Sequence, residues 1–319
     1  MRCSVVIPLH NKAAFIGDAL GSVLSQSHPP FEVIVVDDGS TDGGGEFVRA
    51  VTDTRVRYVR QARAGVSAAR NHGIDLAGGD LVSFLDADDW YLPRFLETVV
   101  AMARAHPDIG FFGTGYRRVR ADRARERAAE TASLPQLTDD IEIVRNPFRR
   151  WIGRPMICTD SVAVRRDLLV LMQPCFPVGE SLGEDLDLWF SLAERSALAY
   201  APAVLACYRV GHPGSVTDAS PPPTELLPSV RRLEQRARSE GYPQGLRSAA
   251  MRYVAEARIA TARQLLVAGR RREAAGQWIQ AWRAVGSVQW WATAVLLSVA
   301  PSGAVRRWQD WRERVARQP

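Results

Sequence analysis

Over the first 105 residues, short apolar runs alternate with stretches in which apolar positions recur every three or four residues. The run Cys3–Pro8 (CSVVIP) reads as a strand. Phe31–Asp37, rich in Val and Ile, reads as a second strand buried on both faces. Val56–Arg60 and Asp80–Leu85 predict a third and a fourth, and Ile109–Val119 a further one. Between them, Ala13–Ser25 places Phe15, Ile16, Ala19, Leu20, Val23 and Leu24 on one helical stripe. Glu46–Val51, Val66–Leu76 and Pro93–Ala105 read as helices, the last with Pro93 in the first turn, where its missing N–H does no harm. The alternation predicts an α/β fold, a mostly parallel sheet flanked by helices.

The pattern then loosens. Arg120–Asp140 is polar and aperiodic and reads as a loop or mobile insertion. Strands are expected near Ser161–Val164 and Ala199–Tyr208, and a helix over Glu184–Arg195. The Pro221–Pro223 triplet marks a linker. Helical segments follow near Thr224–Ser239, Leu246–Ala268, Arg271–Val285 and Val288–Val299. The expected organisation is one domain over 1–220 and a helical C-terminal region over 221–319. The turn at Ala268–Gly269–Arg270 resembles a tetratricopeptide-type hairpin, but one unit is not an array.

Composition excludes several classes. With 46% hydrophobic and 24% charged residues the chain is globular, not disordered. Cys3, Cys158, Cys175 and Cys207 form no close pairs, which argues against a zinc site or disulfide framework and for reduced thiols in the cytoplasm. The opening MRCSVVIPLHN is too short an apolar run for a secretory signal. No apolar run approaches the roughly 20 residues of a membrane span.

The net charge of +6 is unevenly spread. Residues 226–319 hold 17 Arg and 6 acids, for +11, whereas residues 1–225 carry −5. Lys12 is the only lysine, and the Arg bias is read as genome composition. No nucleic-acid partner is expected. Six of the nine Trp residues (Trp278, Trp282, Trp290, Trp291, Trp308, Trp311) follow residue 270, mixed with Arg. Two readings stand side by side: an interfacial helix on a membrane, or a small helical domain packing its Trp residues internally or in a homodimer.

The candidate chemistry lies where strands end, the place at which open α/β sheets bind ligands. VIVVDDGSTD sets Asp37 and Asp38 there, although an ordinary capped turn uses the same residues. Asp86-Ala87-Asp88-Asp89 follows the apolar run LVSFL. Carboxylates beside such a run need compensation, and Mg²⁺ or Mn²⁺ supplies it. Strand alternation would point Asp86 and Asp88 to one side; a cluster capping the next helix is the other reading. Gly183-Glu184-Asp185 suits a helix N-terminus or a general base. His212 sits in a loop, in YRVGHPGSVT. No G-x-G-x-x-G follows the first strand, where PLHNKAAF stands, and there is no P-loop; Gly43–Gly45 read as a turn.

Taken in order, SVVIPLHN, VIVVDDGSTD, GVSAARNHGI, GDLVSFLDADDWYLP, GEDLDLWFSL and YRVGHPGSVT resemble the family 2 inverting glycosyltransferases of the GT-A type over roughly residues 2–218. Six elements in the family's order are far more specific than any one. The resemblance implies a GT-A-like fold and a nucleotide-diphosphate-sugar donor. Pro8, His10 and Asn11 would line the base, and Asp38, with Asp37 nearby, would meet base or ribose. Arg70 and Asn71, and less directly Arg63, would line the diphosphate. Asp86 and Asp88 would form the D-x-D element, with Asp88 the main ligand of Mn²⁺ or Mg²⁺ and His212 assisting.

Glu184 would belong to the donor site, and Asp185 would be the catalytic base. A UDP-sugar is the first expectation, but family members often carry Tyr where this chain has His10, a departure that weakens it, and thymidine and guanosine donors stay open. Trp90 would wall the sugar or acceptor pocket or pack in the core. The expected acceptor is a glycan or lipid-linked hydroxyl in bacterial cell-surface polysaccharide or glycolipid synthesis. The enzyme would work in the cytoplasm or peripherally on the cytoplasmic face of the inner membrane. A nucleotidyltransferase would carry a Gly-rich basic loop after the first strand, and a silent sugar-binding module would have lost Asp88 or Asp185; neither holds here.

Overall fold

The computed structural model describes residues 1–123, 140–152, 155–180, 182–212, 214–215 and 220–299. The chain divides into two compact units, Met1–Arg150 with Arg154–Ser220, and Trp151–Gly153 with Pro221–Pro319.

The first unit is built on one nine-stranded sheet. Four strands form its parallel half: β1 (Cys3–Leu9), β2 (Glu32–Asp38), β3 (Val56–Gln61) and β4 (Leu81–Phe84), in the spatial order β3-β2-β1-β4. The residues of β1, β2 and β4 are almost all buried, as expected of strands covered on both faces, whereas β3, at the sheet edge, is half-buried to exposed. The crossovers are α1 (Ile16–Leu24), α2 (Gly44–Arg49) and α3 (Val66–Leu76). Gly73 lets α3 lie close on β1: a Cβ there would stand 2.2 Å from Val6 Cγ1.

The other half is mixed. Beyond β4 come β8 (Val162–Arg165), β6 (Phe111–Arg120), β9 (Leu198–Val210) and β5 (Trp90–Tyr91), with β7 (Glu142–Val144) also on β9. β8 is antiparallel to both neighbours, whereas β6 and β9 run parallel. The expected mostly parallel sheet is therefore parallel on one side and mixed on the other. The two-residue β5 and three-residue β7 are too short to carry a periodic signal. α4 (Phe95–Ala105) buries Phe95, Leu96, Val99, Val100, Met102 and Ala103 against the sheet. Short helices α5 (Pro147–Trp151) and α6 (Arg166–Leu171) and the longer α7 (Glu184–Ala193) complete the unit. β6 extends to Arg120 and a 3-10 turn covers Ala121–Arg123, so the predicted loop begins later than its sequence suggests; residues 124–139 of it lie outside the described residues.

The second unit is helical: α8 (Pro228–Arg238), α9 (Gln244–Val267), α10 (Arg271–Gln280), a 3-10 turn (Trp282–Ala284) and α11 (Val288–Val299). Its core joins Ala255, Ile259, Ala262, Leu265 and Leu266 of α9 to Ala274, Ala281, Ala284, Trp278, Trp290, Leu296 and Leu297. No described helix is long and apolar enough to cross a membrane.

Candidate active site

At the carboxyl ends of β1 and β2 every expected side chain is placed by short-range chemistry. Pro8 is buried opposite Val36. Asn11 adopts φ +51°, a conformation Asn tolerates, and its Oδ1 accepts the Thr41 N–H at 2.9 Å. His10 Nδ1 lies 2.9 Å from the Asp38 carbonyl oxygen. Asp37 is fully buried and accepts the Ser40 N–H at 2.7 Å and the Tyr58 hydroxyl. Burial raises its pKa, but the hydrogen bonds from Tyr58 and Ser40 and the charge of Arg60 outweigh this and hold it below the usual carboxylate value. Asp38 accepts the N–H groups of Ala64 (2.7 Å) and Gly65 (2.8 Å) and the Gln61 amide at 2.9 Å. The pair thus fastens the loops that follow β2 and β3. Strand ends expose unpaired backbone N–H groups, and the nearest carboxylates satisfy them. Arg63 is exposed beside Gly39.

The second carboxylate cluster departs from its sequence-based geometry. β4 ends at Phe84, so Asp86–Asp89 form a turn leading into β5, and strand alternation does not act on them. Asp86 and Asp88 meet different partners. Asp86 Oδ1 accepts a 2.6 Å bond from Arg70. Asp88 Oδ2 faces the Lys12 ammonium and, at 3.1 Å, His212 Nε2. Lys12 also donates to the Gly214 carbonyl at 3.0 Å, and the His212 ring stands edge-on to Phe15 at 4.6 Å. Asp89 accepts the Arg209 N–H at 2.6 Å, while the Arg209 guanidinium donates to the Asp88 carbonyl and lies over Phe15 and Trp90. Trp90 itself is packed in the core.

Asp160, from the short 3-10 turn Thr159–Ser161, accepts the Asp86 N–H at 2.8 Å. Asp86, Asp89 and Asp160 bring one oxygen each within 4.8 Å of one another, a group that could hold a metal ion. Among the described residues this trio, rather than Asp86, Asp88 and His212, has that spacing. Burial and neighbouring carboxylates push Asp160 up to about 7 and Asp89 well above its ordinary value. Asp89 Oδ2 is buried with no donor nearby. A proton shared with Asp160 or a cation compensates such an oxygen. Hard oxygen donors with one imidazole beside them suit Mg²⁺ or Mn²⁺.

Arg70 links the two ends of the site. It is 2% exposed, and its two terminal nitrogens donate to Asp86 and, at 2.8 Å, to Glu184 Oε1. Desolvation alone would lower its pKa, but the two carboxylates outweigh it and keep the guanidinium charged. Burial raises Glu184 above the usual carboxylate range despite Arg70. Asp185, next along α7, is half-buried and accepts the Thr159 hydroxyl at 3.1 Å. Asn71 does not face open space: its amide bonds the backbone of Cys175 and Phe176 at 2.7–3.1 Å. Lys12, Asp89, Thr159, Asp160 and Arg209 were absent from the expected set. Asp89 sits in the same acidic run and Lys12 is the lone lysine, but nothing in CTDS (158–161) or in Arg209 among 40 arginines marks a site.

A sheet parallel on one side and mixed on the other, flanked by helices and with acidic turns at its strand ends, is a GT-A-like fold. The family model for glycosyl transferase family 2 matches residues 4–170, and the chain belongs to that family. An uncharacterized glycosyltransferase of Nostoc sp. is 28% identical over 216 residues, covering 66% of this chain and 65% of that relative, just under two thirds of its length. Two solved structures share the fold. TarS of S. aureus in complex with UDP-GlcNAc has a TM-score of 0.65 and 19% identity, covering 82% of this chain and 72% of that one. The mannosyltransferase PcManGT of Pyrobaculum calidifontis, in complex with GDP-Man and Mn²⁺, has a TM-score of 0.58 and 22% identity, covering 96% and 82%.

Proposed function

We propose a metal-dependent, inverting hexosyltransferase. It moves a sugar from a nucleoside diphosphate donor to a hydroxyl of a glycan or lipid-linked acceptor, in bacterial cell-surface polysaccharide or glycolipid synthesis, from the cytoplasm. The observation that carries the reading is the buried Arg70 fork joining Asp86 to Glu184, the neighbour of Asp185. One guanidinium thereby holds a metal-type carboxylate turn against a base-type carboxylate at a helix start. Residues 1–220 are the catalytic domain in this reading.

Asp185 takes the proton of the acceptor hydroxyl as that oxygen bonds to the anomeric carbon. The bond from this carbon to the diphosphate oxygen breaks, and its electron pair leaves with the nucleoside diphosphate. One displacement inverts the anomeric centre. The Thr159 hydroxyl fixes the orientation of the base, and a positioned base supplies about 10² to 10⁴ in rate. Asp86 and Asp88, with His212 and with Asp89 and Asp160, whose oxygens lie within 4.8 Å of one from Asp86, would hold Mn²⁺ or Mg²⁺, which when bound neutralises charge on the leaving diphosphate. Pro8, His10, Asn11, Asp37 and Asp38 shape the nucleotide end, with Arg63 and Arg70 toward the diphosphate and Asn71 acting by holding the Cys175–Phe176 backbone. The neighbours' ligands, UDP-GlcNAc and GDP-Man, make uridine and guanosine donors the first to try.

The test is a donor screen with Mn²⁺ that scores nucleoside diphosphate release for the wild type and Asp88→Ala, followed by NMR of the product anomer. The reading expects one preferred donor, loss of release in Asp88→Ala and an inverted linkage. Equal release by the variant refutes the metal role, and a retained linkage refutes the single displacement.

A further inference from the structure

The helical unit displays a dense run of exposed apolar side chains, the apolar ladder. Ile279, Trp282, Val285, Val288, Trp291 and Val295 follow one another at spacings of three or four residues from the end of α10 to α11. Each is between 47% and 84% exposed, and they make up half of the exposed large hydrophobics among the described residues. The others lie in the first unit: Phe31, Phe47 and Val204 singly, and Val170, Leu171 and Val178 close together in the chain. Isolated exposed apolar side chains are ordinary, but six crowded into residues 279–295 mark a contact surface.

The ladder is not a poorly packed core. Trp278 and Trp290 occupy the inside, their rings 4.4 Å apart, with Trp278 Nε1 donating to the Trp290 carbonyl at 3.1 Å. The buried Arg263 pins the inner face of α11 through Thr293 Oγ1 (2.9 Å) and both the side chain and the backbone oxygen of Gln289. With that face fixed inward, Val288, Trp291 and Val295 are held outward. A helix apolar on both faces needs a second apolar environment.

Charge selects the occupant. Residues 226–319 carry +11, and no acid occurs between Glu273 and Asp310. The exposed Arg283 lies over the Trp282 ring at 4.6 Å, a cation at the edge of the apolar row. Two copies meeting through this face would set like charge against like charge. An anionic bilayer attracts it instead, at about 1 kcal/mol for each Arg near the surface. Indole rings settle at the headgroup boundary.

We propose that this ladder seats the protein on the surface of an anionic lipid membrane, with α11 lying in the interface rather than crossing it. The inference does not depend on the catalytic reading.

The test is flotation of the full chain with vesicles of phosphatidylcholine alone or with one third phosphatidylglycerol. It is run at low and high salt, for wild type and for Trp282→Ser/Trp291→Ser, with light scattering for oligomeric state and circular dichroism for fold. The expected result is salt-sensitive recovery on anionic vesicles only, reduced by about tenfold or more in the folded double variant. A second variant, Arg283→Gln, should weaken recovery without altering the fold. Three results would overturn the proposal: no wild-type recovery, whether the protein is monomeric or not; equal recovery of the double variant; or a dimer that the double variant dissolves while vesicle binding is nil.

Discussion

Replacing Arg70 by Met removes a charge while keeping most of the side-chain bulk, so cavity formation is minor. Arg70 is 2% exposed and Glu184 is 8% exposed, so the ion pair they form is shielded from water. Removing one partner of such a pair costs about 3–5 kcal/mol, because the remaining charge stays buried. Asp86, whose side chain is 28% exposed, recovers some solvation and adds less. At 2–4 °C per kcal/mol for a unit of this size, the melting temperature should fall by roughly 6–20 °C at neutral pH.

The loss should depend on pH. Burial already raises Glu184, and Arg70 is the largest influence restraining that rise. Without it the folded-state pKa climbs further above the unfolded value. A carboxyl raised in the folded state keeps its stability below the unfolded pKa and loses it as pH rises through the folded pKa. The deficit should therefore be small near pH 5 and full near pH 8. Urea unfolding followed by circular dichroism at both pH values measures it, alongside Arg70→Met/Glu184→Gln, which should recover much of the loss at pH 8. A deficit equal at both pH values and untouched by Glu184→Gln would refute the account.

Three further outcomes follow from named contacts. Asp185→Asn should keep the fold and lower the transfer rate by about 10²- to 10⁴-fold, measured by product formation with a saturating donor. Asn71→Ala removes three hydrogen bonds to the Cys175–Phe176 backbone and should cost about 2–4 kcal/mol in denaturant unfolding. In chelator, Asp89 and Asp160 are both raised when folded, Asp160 to about 7, so stability should decline as pH rises from 4 through 7; Asp160→Asn should reduce that slope in denaturant unfolding.

Local patterns along the chain set the frame. Strands such as Cys3–Pro8 and Phe31–Asp37 are legible because burial on both faces demands unbroken apolar runs, and α1 is legible because its stripe repeats at the helical period. The acidic turns at Asp37, Asp86 and Glu184 are legible because local chemistry and sequence order carry them. Tertiary structure alone decided what each acid does. Asp37 and Asp38 turned out to fasten loops, since the backbone donors they meet come from Ser40, Ala64 and Gly65. Asp160 reached the Asp86 turn from 74 residues away, and Arg70 joined Glu184 across 114. Likewise Trp278 and Trp290 went inward while Trp282 and Trp291 stayed outside, a division set by the crossing of α9, α10 and α11. A local pattern fixes which face of an element is apolar; which distant group meets that face depends on how separate elements pack, and no periodicity in the chain encodes it.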